Sequence, residues 1–452
     1  MKKLFGTDGI RGIANTYPMT PEIALKVGRA AGLFFKNYSK KSRIVIGKDT
    51  RRSGYMIEYA LTSGLCSAGA DVLLVGPMPT PAVAHLVRSF SADAGIVVSA
   101  SHNPAEHNGI KFFSKDGFKL ADWEEHRIEE IALKGGESPG VTGERIGRAF
   151  RIDDAAGRYI EFAKASANNI SLKGLKIVLD CANGAAYKIS PAILSELGAD
   201  VVVLNNQPNG LNINQNCGAL YPEGMIQRVR EEAADVGIAL DGDADRLIMC
   251  DENGELVDGD EVMAILALQL KREGRLKDDA IVATTMSNMG LEIAMREHGI
   301  RVLRTDVGDR YVVDMLRRKN LNFGGEQSGH IILMDASTTG DGTIAALQVL
   351  RTMRITGKKL SELKKCIIKL PQTLVNVEVR EKKPLEKMPR LMRLIKSFEK
   401  VIKPDGRILV RYSGTENLMR IMVEGKSEAE IERIASSIAE AARREVGIKC
   451  KR

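Results

Sequence analysis

The 452-residue sequence predicts an α/β fold, with three similar α/β domains followed by a smaller C-terminal α+β domain. Three observations predict it. Short β-branched apolar runs alternate with helical patterns, the signature of βαβ units around a largely buried sheet. That rhythm restarts twice along the chain. After about residue 365 it gives way to a different order of elements. Length agrees in kind, since roughly 150 residues per domain suggests about three domains.

The elements follow in order. Arg43-Ile44-Val45-Ile46-Gly47 reads as a strand and residues 54–68 as a helix. Residues 71–76 read as a strand, 80–89 as a helix and 94–100 as a strand. The rhythm restarts at Leu175-Lys176-Ile177-Val178-Leu179-Asp180 and runs to residue 240. It restarts again at Ala280-Ile281-Val282-Ala283-Thr284 and runs to about residue 350. The last part offers a strand over 370–379, a helix, strands over 407–412 and 418–424, and a long final helix. Boundaries fall in the polar, Gly-rich stretch 134–147, in the acidic turn 251–259 and where the pattern changes. They give domains 1–152, 153–256, 257–368 and 369–452.

Composition narrows the function classes. Hydrophobic residues at 44% and charged residues at 27% rule out wholesale disorder. Lys+Arg 66 against Asp+Glu 58 leaves a net charge of +8, which suits nucleic acid, a membrane surface or small anionic ligands. Aromatics are only 5%, with Trp123 the single tryptophan, and no long basic run occurs, so no nucleic-acid partner is expected. No apolar run approaches ~18 residues, and the start turns polar before a signal-peptide core could form, so no membrane partner is expected either. The six cysteines (66, 181, 217, 250, 366 and 450) are scattered, with no C-x-x-C pair. Free, buried thiols in a reducing, cytoplasmic setting are expected.

Five segments carry candidate chemistry. Ser99-Ala100-Ser101-His102-Asn103-Pro104 follows an apolar strand, where α/β proteins place ligands. By itself the segment is equally a Ser/Asn-rich turn, and no G-x-S-x-G elbow supports a hydrolase. Leu240-Asp241-Gly242-Asp243-Ala244-Asp245-Arg246 brings three carboxylates out of a strand at alternate positions. Their repulsion calls for a hard divalent cation. An EF-hand is excluded, because Arg246 stands where that loop needs glycine. Phe323-Gly324-Gly325-Glu326-Gln327-Ser328-Gly329-His330 brackets polar side chains with glycines, which suits sugar hydroxyls or an ordinary turn. Arg411-Tyr412-Ser413-Gly414-Thr415-Glu416, with Arg420 beyond, reads as a hairpin able to cradle a phosphate. The opening Phe5-Gly6-Thr7-Asp8-Gly9-Ile10-Arg11-Gly12 reads as a rigid turn aiming Arg11. Lys111, in Asn108-Gly109-Ile110-Lys111-Phe112-Phe113, is by itself an ordinary solvated strand lysine.

Two segments mimic nucleotide motifs. Gly425-Lys426-Ser427 resembles the end of a P-loop, but the required first glycine falls at Arg420. Gly340-Asp341-Gly342-Thr343-Ile344-Ala345 matches a relaxed dinucleotide fingerprint, yet puts Asp341 where a pyrophosphate would sit. It reads as a helix start with an acidic residue at its positive end.

With these motifs in order, one per domain, the chain resembles the α-D-phosphohexomutases along essentially its whole length. The hallmark loops are Ser101-His102-Asn103-Pro104, Asp241 to Arg246, Gly324 to His330 and Arg411 to Thr415. The opening segment and Gln327 are similar to one bacterial branch, which commonly has Pro where this chain has Asn417. The resemblance implies mixed sheets in the three α/β domains and a central cleft. It implies that Ser101 is phosphorylated and serves as nucleophile, and that Asp241, Asp243 and Asp245 hold one Mg²⁺ together with it. Glu326, Ser328 and His330 would bind sugar hydroxyls. Arg411, Ser413, Gly414, Thr415 and Arg420 would bind the phosphate not being transferred. Arg11, Lys111 and His102 would serve the phosphoserine as cations or acid/base groups.

The implied reaction interconverts glucosamine 6-phosphate and glucosamine 1-phosphate through a sugar 1,6-bisphosphate, feeding amino-sugar nucleotide synthesis for the cell wall. Mannose and glucose phosphates are the alternative substrates on the same scaffold. The expected partner is a small sugar phosphate. The sequence is silent on oligomeric state, and a homodimer stays open.

Overall fold

Among the described residues, the strands form four β-sheets. The computed structural model describes residues 4–6, 8–36, 41–134, 140–413 and 417–447. Contacts divide the chain into two compact units, one of Met1–Met286 with Val302–Lys365 and one of Ser287–Arg301 with Cys366–Arg452.

The first unit carries three sheets. The seven-stranded sheet runs in the order Phe5–Gly6, Gly9–Ile13, His107–Ser114, Ala94–Val98, Arg43–Lys48, Asp71–Pro77 and Ala149–Arg151. Its last four strands are parallel, and its first three join antiparallel. The β-branched strands lie buried between helices, and Ile44, Ile46, Ile96 and Val98 share one core with Val27 and Leu61. The N-terminal segment, expected as a turn, adds a strand instead. Gly9–Ile13 pairs with His107–Ser114 and sets Arg11 opposite Gly109.

The second sheet has the order Leu256–Val257, Leu247–Asp251, Val236–Leu240, Lys176–Asp180 and Asp200–Leu204. The third has the order Arg301–Thr305, Ala280–Thr284, Phe323–Gly325 and Ile331–Leu333. Both are mixed, each with a hairpin that leaves a parallel strand and returns beside it. Those two hairpin turns are the Asp-rich and Glu326 loops. Helix Gly342–Thr356 starts at Asp341, whose side chain accepts from the Ile344 N–H at 2.9 Å. The Asp is therefore a helix cap, as its charge suggested, and not a pyrophosphate seat.

In the second unit, Gln372–Glu378, Leu418–Glu424 and Arg407–Tyr412 form an antiparallel sheet. The amphipathic helices Pro389–Ile402 and Glu428–Val446 share its core through Leu391, Ile395, Ile434 and Ile438. Asn288 ties Ser287–Arg301 to this unit, its side chain bonding both the N–H and the carbonyl of Leu370.

Cys66, Cys181, Cys217 and Cys250 are free thiols. Cys181, Cys217 and Cys250 are buried as expected, whereas Cys66 and Cys366 are half-buried. Cys450 lies outside the described residues. No helix among the described residues is long and apolar enough to cross a membrane.

Candidate active site

Ser101 sits three residues past the strand Ala94–Val98, at its carboxyl end. Its backbone is left-handed, with φ +50°, a conformation that strains a non-glycine residue. Local bonds hold it there. The Ser101 N–H donates to Ser99 Oγ at 2.9 Å, and Ser99 Oγ donates to Asp49 at 2.6 Å. The Ser101 carbonyl accepts from Arg51 Nη2 at 2.8 Å and from Asn214 Nδ2 at 2.9 Å. The hydroxyl is thereby aimed at the second sheet, where it donates to Asp241 Oδ2 at 2.6 Å.

The Asp-rich loop follows the fully buried strand Val236–Leu240. Gly242 permits the approach, since a Cβ there would meet the Ser101 carbonyl oxygen at 2.6 Å. Thr80, at the start of helix Thr80–Ser89, grips Asp243 twice. Its N–H donates to the Asp243 carbonyl at 2.9 Å and its hydroxyl to Oδ2 at 2.6 Å. Asp241, Asp243 and Asp245 are all buried, with ligand atoms within 4.8 Å of one another.

These residues fit a hard divalent cation. Asp243 Oδ1 and Asp245 Oδ1 are buried without a hydrogen-bond partner among the described residues. Burial and the neighbouring carboxylates of Asp245 and Asp243 push the Asp241 carboxyl up to about 8. A cation among the three would remove that penalty.

Lys111 is no solvated strand lysine. Only 1% exposed, it bonds Asp243 Oδ2 at 2.8 Å and lies 3.5 Å from Asp245 and 3.7 Å from Asp8. Burial disfavours its charge, but those three carboxylates win and hold it protonated above its ordinary value. The contacts continue outward. Asp8 bonds Arg11 and Lys119, Lys119 bonds Asp309, and Asp309 lies 3.5 Å from His330 Nε2. His330 Nδ1 returns to Asp245 at 3.6 Å. Against burial, Lys119, Lys111 and Arg11 hold the Asp8 carboxyl well below the usual carboxylate range. Burial would lower His330, yet Asp245, Asp309 and Glu326 raise it to about 9. The Gly340 N–H opposes that rise, because it donates to Nε2 at 3.1 Å. His102 lies with Nδ1 3.3 Å from Ser101 Oγ, and burial beside Arg246 pushes it down to about 4. Its ring is neutral at neutral pH.

The Glu326 loop completes the site. Gly329, at φ +89°, closes the turn, and its carbonyl accepts from the Leu247 N–H at 3.0 Å, joining the third-sheet loop to the second sheet. Glu326 Oε1 accepts from the Gly308 N–H at 3.0 Å. Arg11, Ser101, His102, Glu326, Ser328 and His330 all line one cleft of about 1270 Å³. Lys111, Asp241 and Asp243 are buried where these loops meet.

The fourth expected loop belongs to the second unit. Arg411 and Arg420 stand directly opposite each other on adjacent strands, and the Ser413 N–H closes the hairpin onto the Leu418 carbonyl at 2.8 Å. Gly414 and Thr415 lie outside the described residues.

Sequence reasoning missed Asp49, Arg51, Thr80, Lys119, Asn214 and Asp309, and gave Asp8 no role. Asp49 and Arg51 stand just past the strand Arg43–Lys48, so the rule that ligands gather at strand carboxyl ends pointed at them. The others carried no local signal.

Comparison with known proteins agrees with this geometry. Four models of the phosphoglucomutase/phosphomannomutase family match the chain: alpha/beta/alpha domain I over residues 2–138, domain II over 157–254, domain III over 258–370 and the C-terminal domain over 374–441. The phosphoglucosamine mutase of Syntrophotalea carbinolica is 55% identical, covering 100% of this chain and 99% of that protein. That of Citrifermentans bemidjiense is 56% identical, covering 99% of each. In fold, the chain is similar to a Burkholderia thailandensis phosphoglucomutase/phosphomannomutase family protein, with TM-score 0.80, 24% identity and 98% and 99% of the two chains covered. It is also similar to Aspergillus fumigatus N-acetylphosphoglucosamine mutase in complex with GlcNAc-6P and magnesium, with TM-score 0.68, 19% identity and 98% and 95% covered. With all four domains matched in order along nearly its whole length, the chain belongs to the phosphoglucomutase/phosphomannomutase family.

Proposed function

We propose that the chain is a phosphoglucosamine mutase, an intramolecular phosphotransferase that interconverts glucosamine 6-phosphate and glucosamine 1-phosphate. The observation that carries the chemistry is the Ser101 hydroxyl, held 2.6 Å from Asp241 at the mouth of a buried three-carboxylate cluster. The choice of amino sugar rests on the 55% full-length identity to proteins of that name.

Phosphorylated Ser101 gives its phosphoryl group to the free hydroxyl of the bound sugar phosphate. The Oγ–P bond breaks as the sugar O–P bond forms, and the proton of the sugar hydroxyl ends on the Ser101 Oγ that is released. The resulting 1,6-bisphosphate turns in the cleft and returns its other phosphoryl group to Ser101. Such transfer needs positioning and charge neutralisation more than covalent help. Asp241, Asp243 and Asp245, together with the phosphoserine, would hold one Mg²⁺, which would supply charge neutralisation there. Lys111, 2.8 Å from Asp243, brings positive charge to the phosphoserine side of the cluster. Arg11, fixed by Asp8, adds charge from the cleft wall. Neutral His102 has a ring nitrogen free to take a proton beside Ser101. Glu326, Ser328 and His330 bind the sugar hydroxyls. Arg411, Ser413, Gly414, Thr415 and Arg420 hold the phosphate that stays. The product enters amino-sugar nucleotide synthesis in the cytoplasm.

Purified protein, weighed intact, should show a fraction carrying one phosphoryl group that is absent from Ser101→Ala. Glucosamine, glucose and mannose phosphates assayed side by side should favour glucosamine at least about tenfold in kcat/KM, one tenfold step being about 1.4 kcal/mol of transition-state binding. Full activity of Ser101→Ala would end the phosphoserine reading. A preference for glucose or mannose would reassign the substrate.

A further inference from the structure

The geometry points to Arg51 as the positioning residue for Ser101, acting with Asn214 to fix the loop whose hydroxyl carries the phosphoryl group. This inference rests on the phosphoserine reading above and names a part of the machinery that the reading leaves unassigned.

Arg51 has no exposed surface. Both terminal nitrogens of its guanidinium bond the loop of Ser101. Nη2 donates to the carbonyls of Ser101 and Asn103, both at 2.8 Å, and Nη1 donates to the carbonyl of Pro104. Nε donates to Asp49 Oδ2 at 2.8 Å. Asp49 also accepts from Ser99, which in turn holds the Ser101 N–H. From the second sheet's side, Asn214 Nδ2 reaches the same two carbonyls, Ser101 at 2.9 Å and Asn103 at 3.1 Å. The N–H and the carbonyl of Ser101 are thus both tied, and its positive φ is over-determined.

Two physical arguments make this positioning and not mere cohesion. A fully buried ion pair is a poor way to gain stability, since apolar side chains of equal volume usually do as well. A planar fork of donors, however, fixes the angles among three carbonyls, which no apolar group or single ammonium can do. Asp49 also neutralises Arg51 at contact distance. What Arg51 contributes to the phosphoryl group is therefore geometry more than field.

The test uses the full-length phosphorylated enzyme with Arg51→Lys and Asn214→Ala. Three quantities are read: kcat per phosphorylated Ser101 counted by intact mass, KM for the sugar phosphate, and the rate at which phosphoserine is lost to water. A displacement of about 1 Å at a reacting group costs on the order of 10²-fold in rate. Arg51→Lys should therefore lower kcat per phosphoenzyme about 10²-fold, with KM changed less than about threefold and a larger share of phosphoryl lost to water. Asn214→Ala should lower kcat about tenfold in the same pattern. A purely cohesive role would lower the amount of folded enzyme and leave kcat per phosphoenzyme intact. Parental kcat per phosphoenzyme, within about twofold, in folded Arg51→Lys overturns the proposal. Should Arg51→Lys fail to fold, the same result in Asn214→Ala overturns it. Ser101→Ala runs alongside, and its activity would overturn the phosphoserine reading instead.

Discussion

Gly242→Ala adds one methyl group where the phosphoserine loop meets the Asp-rich loop. The new Cβ would stand 2.6 Å from the Ser101 carbonyl oxygen, 2.8 Å from Asn214 Nδ2 and 2.8 Å from Ile213 Cδ1, whereas ordinary contact begins at 3.4 Å. The Ser101 carbonyl cannot swing aside, because Arg51 and Asn214 both hold it. The Asp-rich loop has no room to retreat either, since a Cβ on Gly184 would already meet the Gly242 carbonyl at 2.4 Å. The methyl therefore demands about 0.8 Å of separation between nucleophile and carboxylates, the shortfall from an ordinary contact. A displacement of that size costs on the order of 10²-fold in turnover, or about 2.7 kcal/mol of barrier. Overpacking should cost a further 1–3 kcal/mol of stability, roughly. Steady-state kinetics at saturating Mg²⁺ and substrate, paired with urea unfolding, separate the two effects. Gly224→Ala is the control, for nothing lies within 4 Å of its Cβ position, and it should leave turnover unchanged. If folded Gly242→Ala turns over within about twofold of the parent, the claim that transfer occurs across this junction is refuted.

The metal cluster and a buried histidine each give a further expected outcome. Asp243→Asn removes a buried carboxylate that faces Thr80 and Lys111. Mg²⁺ at about 100 times its Kd should stabilise the parent against heat by about 2.7 kcal/mol but leave this variant unmoved, and an equal shift in both would count against the metal cluster. His85 stacks on Phe162 at 3.8 Å, and burial beside Arg88 pushes it down to about 4. Its folded form stays neutral while the unfolded form takes a proton below about 6.5, so its stabilisation is complete above that pH and is lost as pH falls towards 4. His85→Phe should therefore lose about 2 kcal/mol less than the parent between pH 8 and pH 5 in urea unfolding. Parallel pH curves for the two proteins would contradict this.

The parts legible in the sequence were those encoded locally. The buried strand Ala280–Thr284 and the helix Thr80–Ser89 lie where the hydrophobic pattern puts them. The loops bearing Ser101, the three aspartates and Glu326 were legible because unusual density of polar groups after an apolar strand is itself a signal. What the sequence hid is long-range. Lys111 looks solvated until Asp243 arrives from 132 residues away. Asn214 reaches Ser101 across 113 residues, and Lys119 reaches Asp309 across 190. Long-range pairing hid the strand that carries Arg11, whose segment has the glycines of a turn but pairs with residues 107–110.

The burial of Lys111 bears on how the chain is made. Its strand emerges early, as part of the first sheet, with Asp8 at 3.7 Å as its nearest acidic neighbour from that domain. Its close counter-ions, Asp243 and Asp245, belong to the second domain and leave the ribosome much later. Until they dock, only Asp8 of its three carboxylate neighbours is in place. Biogenesis therefore couples the two domains. The cluster of Lys111, Asp243 and Asp245 forms only when the later domain supplies its two carboxylates.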